Sequence, residues 1–169
     1  NIATKSHEMS WYQGPTLLQH LEEAPVNDTR MLDQPFRMAV QWVNRPNLDF
    51  RGFAGQIGAG VVRPGDAIRV LPSGKTTTVK SIPTFDGDLD QAIAGQSVTL
   101  TFADEIDCSR GDVIVKADAP CEVADQFEAT VVWMDEHAML PCRPYLLKIG
   151  TQTVTATVTE PKYEVNVNT

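Results

Sequence analysis

Cysteine is scarce in this sequence. Cys108, Cys121 and Cys142 are an odd, scattered set without Cys-x-x-Cys spacing. Such a set builds neither a disulfide framework nor a zinc ribbon, and it reads as the reduced thiols of a cytoplasmic chain. Histidine is as rare. His7, His20 and His137 stand far apart and lack metal-ligand spacing, so each reads as a surface residue. Positive charge is in deficit: 14 Lys and Arg oppose 22 Asp and Glu, a net charge of −8. That balance leaves no basic footprint for nucleic acid or an anionic membrane, so neither is the expected partner. No apolar run approaches the length of a membrane span, and no signal peptide is visible. No serine stands out with a His and Asp set as a nucleophile.

Nucleotide and metal motifs are also lacking. Gly74-Lys75-Thr76 resembles the end of a phosphate-binding loop, but that loop needs a glycine where Arg69 stands. The segment joins two extended stretches, so it reads as a hairpin turn. No Asn-Lys-x-Asp guanine-reading motif is present. GTP binding by this chain alone is therefore not expected, and no cofactor or metal is assigned to it. Asp86, Asp88 and Asp90 have the spacing that opens a calcium loop. The sixth and twelfth positions are Gln91 and Ser97, where Gly and Glu are required, so a solvated turn is expected. Arg110-Gly111-Asp112 reads as the turn before a closing strand.

What is present is alternation. Met38, Val40 and Trp42 fall on one face of an extended stretch from Arg37 to Val43, against Arg37, Ala39 and Gln41. Phe53–Ala59 is apolar, with Gly55 and Gly58 inside it, and Ala67–Leu71 and Thr76–Ile82 follow. Ser97–Phe102 alternates cleanly, and Asp112–Lys116 is the expected closing strand. Period-2 alternation marks half-buried strands, and interior glycines mark bends where a barrel turns a corner. Short strands divided by Gly and Pro turns argue a closed barrel. One short helix is expected near 15–23, with Pro15 at its first position and Leu17, Leu18 and Leu21 on one face. Val26–Pro35 reads as a linker. Further extended segments are expected at Phe127–Trp133, Arg143–Ile149, Thr153–Thr159 and Tyr163–Val167. About 45 residues is close to the lower limit for an independent core, so this second unit is expected to be incomplete. The expected fold is all-β: one barrel over 35–119 and a second, incomplete one over 120–169, after a helix and linker over 1–34.

These residues also carry a resemblance. Gly52-Phe-Ala-Gly55-x-Ile57-x-x-Gly60-x-Val62-x-x-Gly65-Asp66 looks like the barrel that follows the GTPase domain in translation factors. The insert Asn44-Arg-Pro-Asn-Leu-Asp-Phe-Arg-Gly52 is narrower, and resembles the large, GTPase subunit of bacterial sulfate adenylyltransferase (ATP sulfurylase). Trp11-Tyr-x-Gly14-Pro-Thr-Leu-Leu18, Thr84-Phe-Asp-Gly-Asp-Leu89, Ser109-Arg-Gly-Asp112 and Val132-Trp-Met-Asp-Glu136 agree with it. The resemblance implies a heteromeric enzyme making adenylylsulfate and pyrophosphate from ATP and sulfate. A smaller catalytic subunit would hold the ATP-sulfate site, and GTP with magnesium would bind the full-length large subunit. The helix would be the last of the GTPase domain. Because the chain starts at Asn1, it is expected to be a piece of a longer protein, a non-catalytic barrel region that braces its own GTPase domain and contacts the catalytic subunit. The rival expectation is an RNA-binding barrel region of a translation elongation factor.

One stretch suits a plain turn poorly. Asn44–Arg51 is longer than the two to five residues a hairpin usually needs. It offers arginine forks and an aromatic anchor, chemistry enriched at interfaces. Arg45, Asn47, Asp49, Phe50 and Arg51 are the candidate partner or interdomain contacts. In this reading Arg45 and Arg51 pair with acidic groups, Phe50 fills a pocket, and Asn47 and Asp49 hold the loop.

Overall fold

The structure, a computed structural model, describes residues 2–5, 7–24, 31–163 and 165. The chain forms two compact units, Asn1–Arg30 and Met31–Thr169. In the first, a 3-10 turn at His7–Met9 precedes helix α1, Leu17–Glu23. The N-cap is Thr16, whose Oγ1 accepts from Gln19 N at 3.2 Å. This satisfies one of the orphan donors of the first turn. Pro15 therefore stands before the cap and not at the first helical position, because the threonine hydroxyl supplies the better start. Leu17, Leu18 and Leu21 are exposed within this unit. The expected linker falls partly at 25–30, outside the described residues.

Among the described residues the second unit contains thirteen strands. They are β1 Arg37–Ala39, β2 Trp42–Asn44, β3 Gly52–Ala59, β4 Val61–Val62, β5 Ala67–Leu71, β6 Thr76–Ser81, β7 Pro83–Thr84, β8 Gly87–Asp88, β9 Ala92–Ile93, β10 Ser97–Phe102, β11 Val113–Lys116, β12 Pro144–Ile149 and β13 Gln152–Thr157. Six of them close a barrel, in the order β1-β11-β5-β6-β10-β3, with β3 returning to β1. All pairings are antiparallel. Closure leaves the ring without a free edge. The inward positions, among them Met38, Ile57, Val70, Leu100 and Ile114, form one buried core.

The stretch read as a single strand over Arg37–Val43 is two. Val40 N donates to Asp112 O and Gln41 N donates to Ala54 O, so the chain changes partner between them. The change costs one residue of phase. Val40 is buried, Gln41 and Trp42 both face out, and Val43 turns back toward the core. Trp42 is consequently 60% exposed and is not part of the core its alternation suggested. Gly55 makes this crossing possible: a Cβ there would lie 2.3 Å from Ala39 O. Gly60, at φ +76, bends the chain out of β3, and a Cβ would lie 2.6 Å from Phe36 N.

Beyond the barrel the order differs. β12 and β13 form a hairpin, Pro144 facing Thr157 and Ile149 facing Gln152. Its tip touches the barrel, where Thr151 Oγ1 donates to Val40 O at 2.8 Å. Phe127–Trp133 has no strand. A ladder needs a neighbour, and among the described residues β12 and β13 pair only with each other. The chain bends at 135–137: Trp133 Nε1 donates to His137 O at 2.7 Å, and the ring meets Tyr145 edge-on at 5.6 Å. Of the expected Tyr163–Val167 strand, Tyr163 and Val165 are not in a strand, and residues 164, 166 and 167 lie outside the described residues.

Candidate functional site: a braced loop at one end of the barrel

The hairpin between β2 and β3 is fixed at its base, where Asn44 faces Gly52. Residues 45–51 project from it. Asn47 organises the loop: its Oδ1 accepts from Asp49 N at 3.0 Å and Phe50 N at 2.9 Å. This is the Asx geometry that a short amide side chain makes with the backbone ahead of it. The Phe50 ring lies over Gly52, close enough that a Cβ on Gly52 would meet Phe50 Cε1 at 2.9 Å. Glycine at the start of β3 thus makes room for the aromatic ring.

Arg51 faces inward from this base. Its Nη1 donates to Ile106 O at 3.1 Å and its Nη2 to Cys108 O at 3.4 Å. The guanidinium carbon stands 5.3 Å from the centroid of Phe53, which stacks on Phe102 at 4.3 Å. One side chain thus joins the candidate loop, the core and the β10–β11 connection.

That connection is itself tied down. Thr77 Oγ1 donates to Asp104 Oδ2 at 2.8 Å, and Lys75 Nζ pairs with Asp107 Oδ2 at 2.9 Å. The Lys75 ammonium holds the Asp107 carboxyl below the usual carboxylate range, by hydrogen bond first and charge second. Arg45 reaches Glu105 at 3.8 Å across the two loops. Burial pushes the Cys108 thiol up to about 12, Asp112 adds to the shift, and Arg51 opposes it. Cys108 is thus a core thiol and not a nucleophile. Gly74-Lys75-Thr76 leads from the β5–β6 turn into β6, with Lys75 committed to Asp107. Among the described residues, no group of three or more His, Cys, Asp or Glu could hold a metal ion.

The loop therefore divides into what it shows and what it hides. Arg45, Asn47 and Asp49 are exposed, while Phe50 and Arg51 are half-buried and make contacts within the chain. Leu48, at the tip, is 85% exposed. Sequence reasoning marks Leu48 with Phe50 as the apolar pair of the loop but does not count it among the contacts. The available signal was an apolar residue set between Asn47 and Asp49, two residues that favour turns.

Comparison with known proteins fits this arrangement. Residues 54–115 match the family model described as elongation factor Tu domain 2, and residues 126–169 match the GTP-eEF1A C-terminal domain-like model. Sulfate adenylyltransferase subunit 1 of Tolumonas auensis is 51% identical over the whole chain, which spans 36% of that protein. The chain is a homologue of sulfate adenylyltransferase subunit 1. The bifunctional enzyme NodQ of Rhizobium sp. (strain N33) is 52% identical over 99% of the chain, which spans 26% of it. The chain thus spans about a third or less of these sulfate adenylyltransferase and NodQ relatives. Among solved structures, apo elongation factor SelB of Methanococcus maripaludis aligns with a TM-score of 0.69 at 23% identity, over 83% of this chain and 31% of its own. Sup35 with GMPPNP aligns with a TM-score of 0.60 at 19% identity, over 89% of this chain and 37% of its own. At such identity the likeness concerns the fold alone, the translation-factor type of β-barrel.

Proposed function

We propose that this chain is the non-catalytic barrel region of a sulfate adenylyltransferase GTPase subunit. The observation that carries the reading is identity of about half the residues along the entire chain to sulfate adenylyltransferase subunit 1. In this reading the full-length subunit binds GTP and magnesium, and a separate catalytic subunit forms adenylylsulfate and pyrophosphate from ATP and sulfate. The assembly works in sulfate assimilation, in the cytoplasm. The barrel braces the GTPase domain against the catalytic subunit. Leu48, Arg45 and Asp49 supply a partner or interdomain contact at the β2–β3 loop. Asn47, Phe50 and Arg51 hold that loop in shape.

The match to elongation factor Tu domain 2 favours a second reading, an RNA-binding barrel region of a translation elongation factor. One experiment separates the two. The full-length subunit is combined with its catalytic subunit, and adenylylsulfate formation is followed with and without GTP. Leu48→Asp with Arg45→Glu is expected to lower the GTP-stimulated rate about tenfold or more, while ATP and sulfate turnover without GTP stays constant. Truncating an interfacial anchor typically costs roughly 2 kcal/mol. No GTP-stimulated synthesis in the unsubstituted assembly, with retention of aminoacyl-tRNA instead, would establish the second reading.

A further inference from the structure

The outer face of β1, β11 and β5 carries a different chemistry. Val115 faces Arg37 on one side and Arg69 on the other. Ile114 occupies the inner core, so Val115 points outward, yet it is 0% exposed. Beyond the arginines the same row ends in Ala59 on β3 and Thr76 on β6. One adjoining row carries Ala39, Val113 and Leu71 and lies under the β12–β13 turn, where a Cβ on Gly150 would meet Ala39 Cβ at 3.5 Å; the other carries Ala67 and Thr78. No carboxylate stands in these positions, in a chain with 22 of them.

The two arginines lack countercharge. Arg37 Nη1 donates to the neighbouring Phe36 O at 2.8 Å. Arg69 Nε is buried without a hydrogen-bond partner. Neither guanidinium has an ion pair among the described residues. Two strand spacings separate the Cα atoms by about 10 Å. An orphaned buried donor and two uncompensated charges both favour an incoming anion.

We infer that the Arg37–Val115–Arg69 row receives carboxylates from an acidic segment of the catalytic subunit. The identity of that partner rests on the proposed function. Val115 is covered between the two stems, so the half-buried arginine side chains are what a partner meets, the pattern of an interface with arginine enriched and other charges depleted. The row contains no aromatic side chain on which a base could stack, and two cations would release only about two counterions from a nucleic acid. A net charge of −8 opposes a polyanion further.

The test uses the full-length subunit and its catalytic partner, with their affinity measured at low and high sodium chloride. Arg37→Gln with Arg69→Gln keeps two of the three methylenes of each stem beside Val115 and removes the charges. The expected result is binding weakened about tenfold or more at low salt, with most of the salt dependence gone. Arg37→Lys with Arg69→Lys provides a second measurement, since a carbodiimide should join the introduced amines to carboxylates of the catalytic subunit. Unchanged affinity and salt dependence, with no cross-link, would overturn the inference alone. Binding of a 20-nucleotide RNA that is lost in the Gln variant, with subunit affinity unchanged, would replace the protein partner by nucleic acid. A catalytic subunit that fails to bind even the unsubstituted chain would overturn this inference and the proposed function together.

Discussion

The barrel and the region after it draw on similar alternation and reach different ends. Phe53, inside the ring, is 2% exposed; Trp133, in an equally regular Phe-x-Ala-x-Val-x-Trp stretch, is 42% exposed. Alternation describes a strand that has two things to face, a core and a neighbour. Phe53 has Leu100 across the ladder and Phe102 against its ring. Trp133 has a carbonyl and the edge of Tyr145. The pattern of residues is a request for a sheet, and among the described residues only the barrel contains enough strands to answer it.

The contrast can be broken most sharply at the core. Phe53→Ala should cost about 3–5 kcal/mol of unfolding free energy, while Trp133→Ala should change barrel stability by about 0.5 kcal/mol or less. Paired denaturant titrations measure both, and equal losses would mean that the two regions share one core. Gly55→Ala should follow in size. Its new methyl meets backbone oxygen and not a movable side chain, so β1 must shift, at about 1–3 kcal/mol. Arg51→Ala is expected to cost about 1–2 kcal/mol by leaving Ile106 O and Cys108 O without their charged donor. Arg45→Ala, whose ion pair is long and exposed, should leave the melting temperature unaltered.

Hydrogen exchange sharpens the same comparison without mutation. A hairpin alone is marginal in water. Amides of β12 and β13 should exchange at least about a hundredfold faster than those of β3 and β11. Similar protection in both would show that the hairpin belongs to the barrel's cooperative unit.

Thiol chemistry gives a smaller signal with a definite sign. The folded thiol of Cys108 ionises near 12, above its unfolded value. Its contribution to stability is therefore complete below the unfolded thiol pKa of about 8.5 and fades as pH rises toward 12. Native protein at neutral pH should label at Cys121 and Cys142, both exposed, with Cys108 labelled only on unfolding. Asp107 has the opposite sign. Its lowered pKa gives stability that is present above the unfolded carboxylate pKa and is lost as acid protonates the folded group.

Local pattern made much of this legible. Ala67–Leu71 and Ser97–Phe102 occupy the ranges their alternation marks. Trp42 was misplaced because a one-residue slip in phase is created by Asp112 and Ala54, which lie far away in sequence. The short pairs β4–β9 and β7–β8 were missed, since two residues cannot display a period. At the loop, Asn47 was legible because an Asx turn is local. Arg51 was not, because the carbonyls it serves lie 55 and 57 residues away. Arg37 and Arg69 look like ordinary outward residues in sequence, and only the register of β1, β11 and β5 sets them around one valine.

Closure of the ring has a kinetic consequence as well. Arg37 pairs with Val115 and also with Ala59. The first strand of the barrel is thus held by the last, and nearly the whole sequence of the barrel must be collapsed before that seam can form. Loop entropy is spent before the seam's ladders repay it, which places folding in the millisecond-to-second range typical of non-local β topologies. A ribosome emitting this chain must release residues through at least Lys116 before the ring can shut. Until then the partner surfaces of β1 are open to any strand that passes.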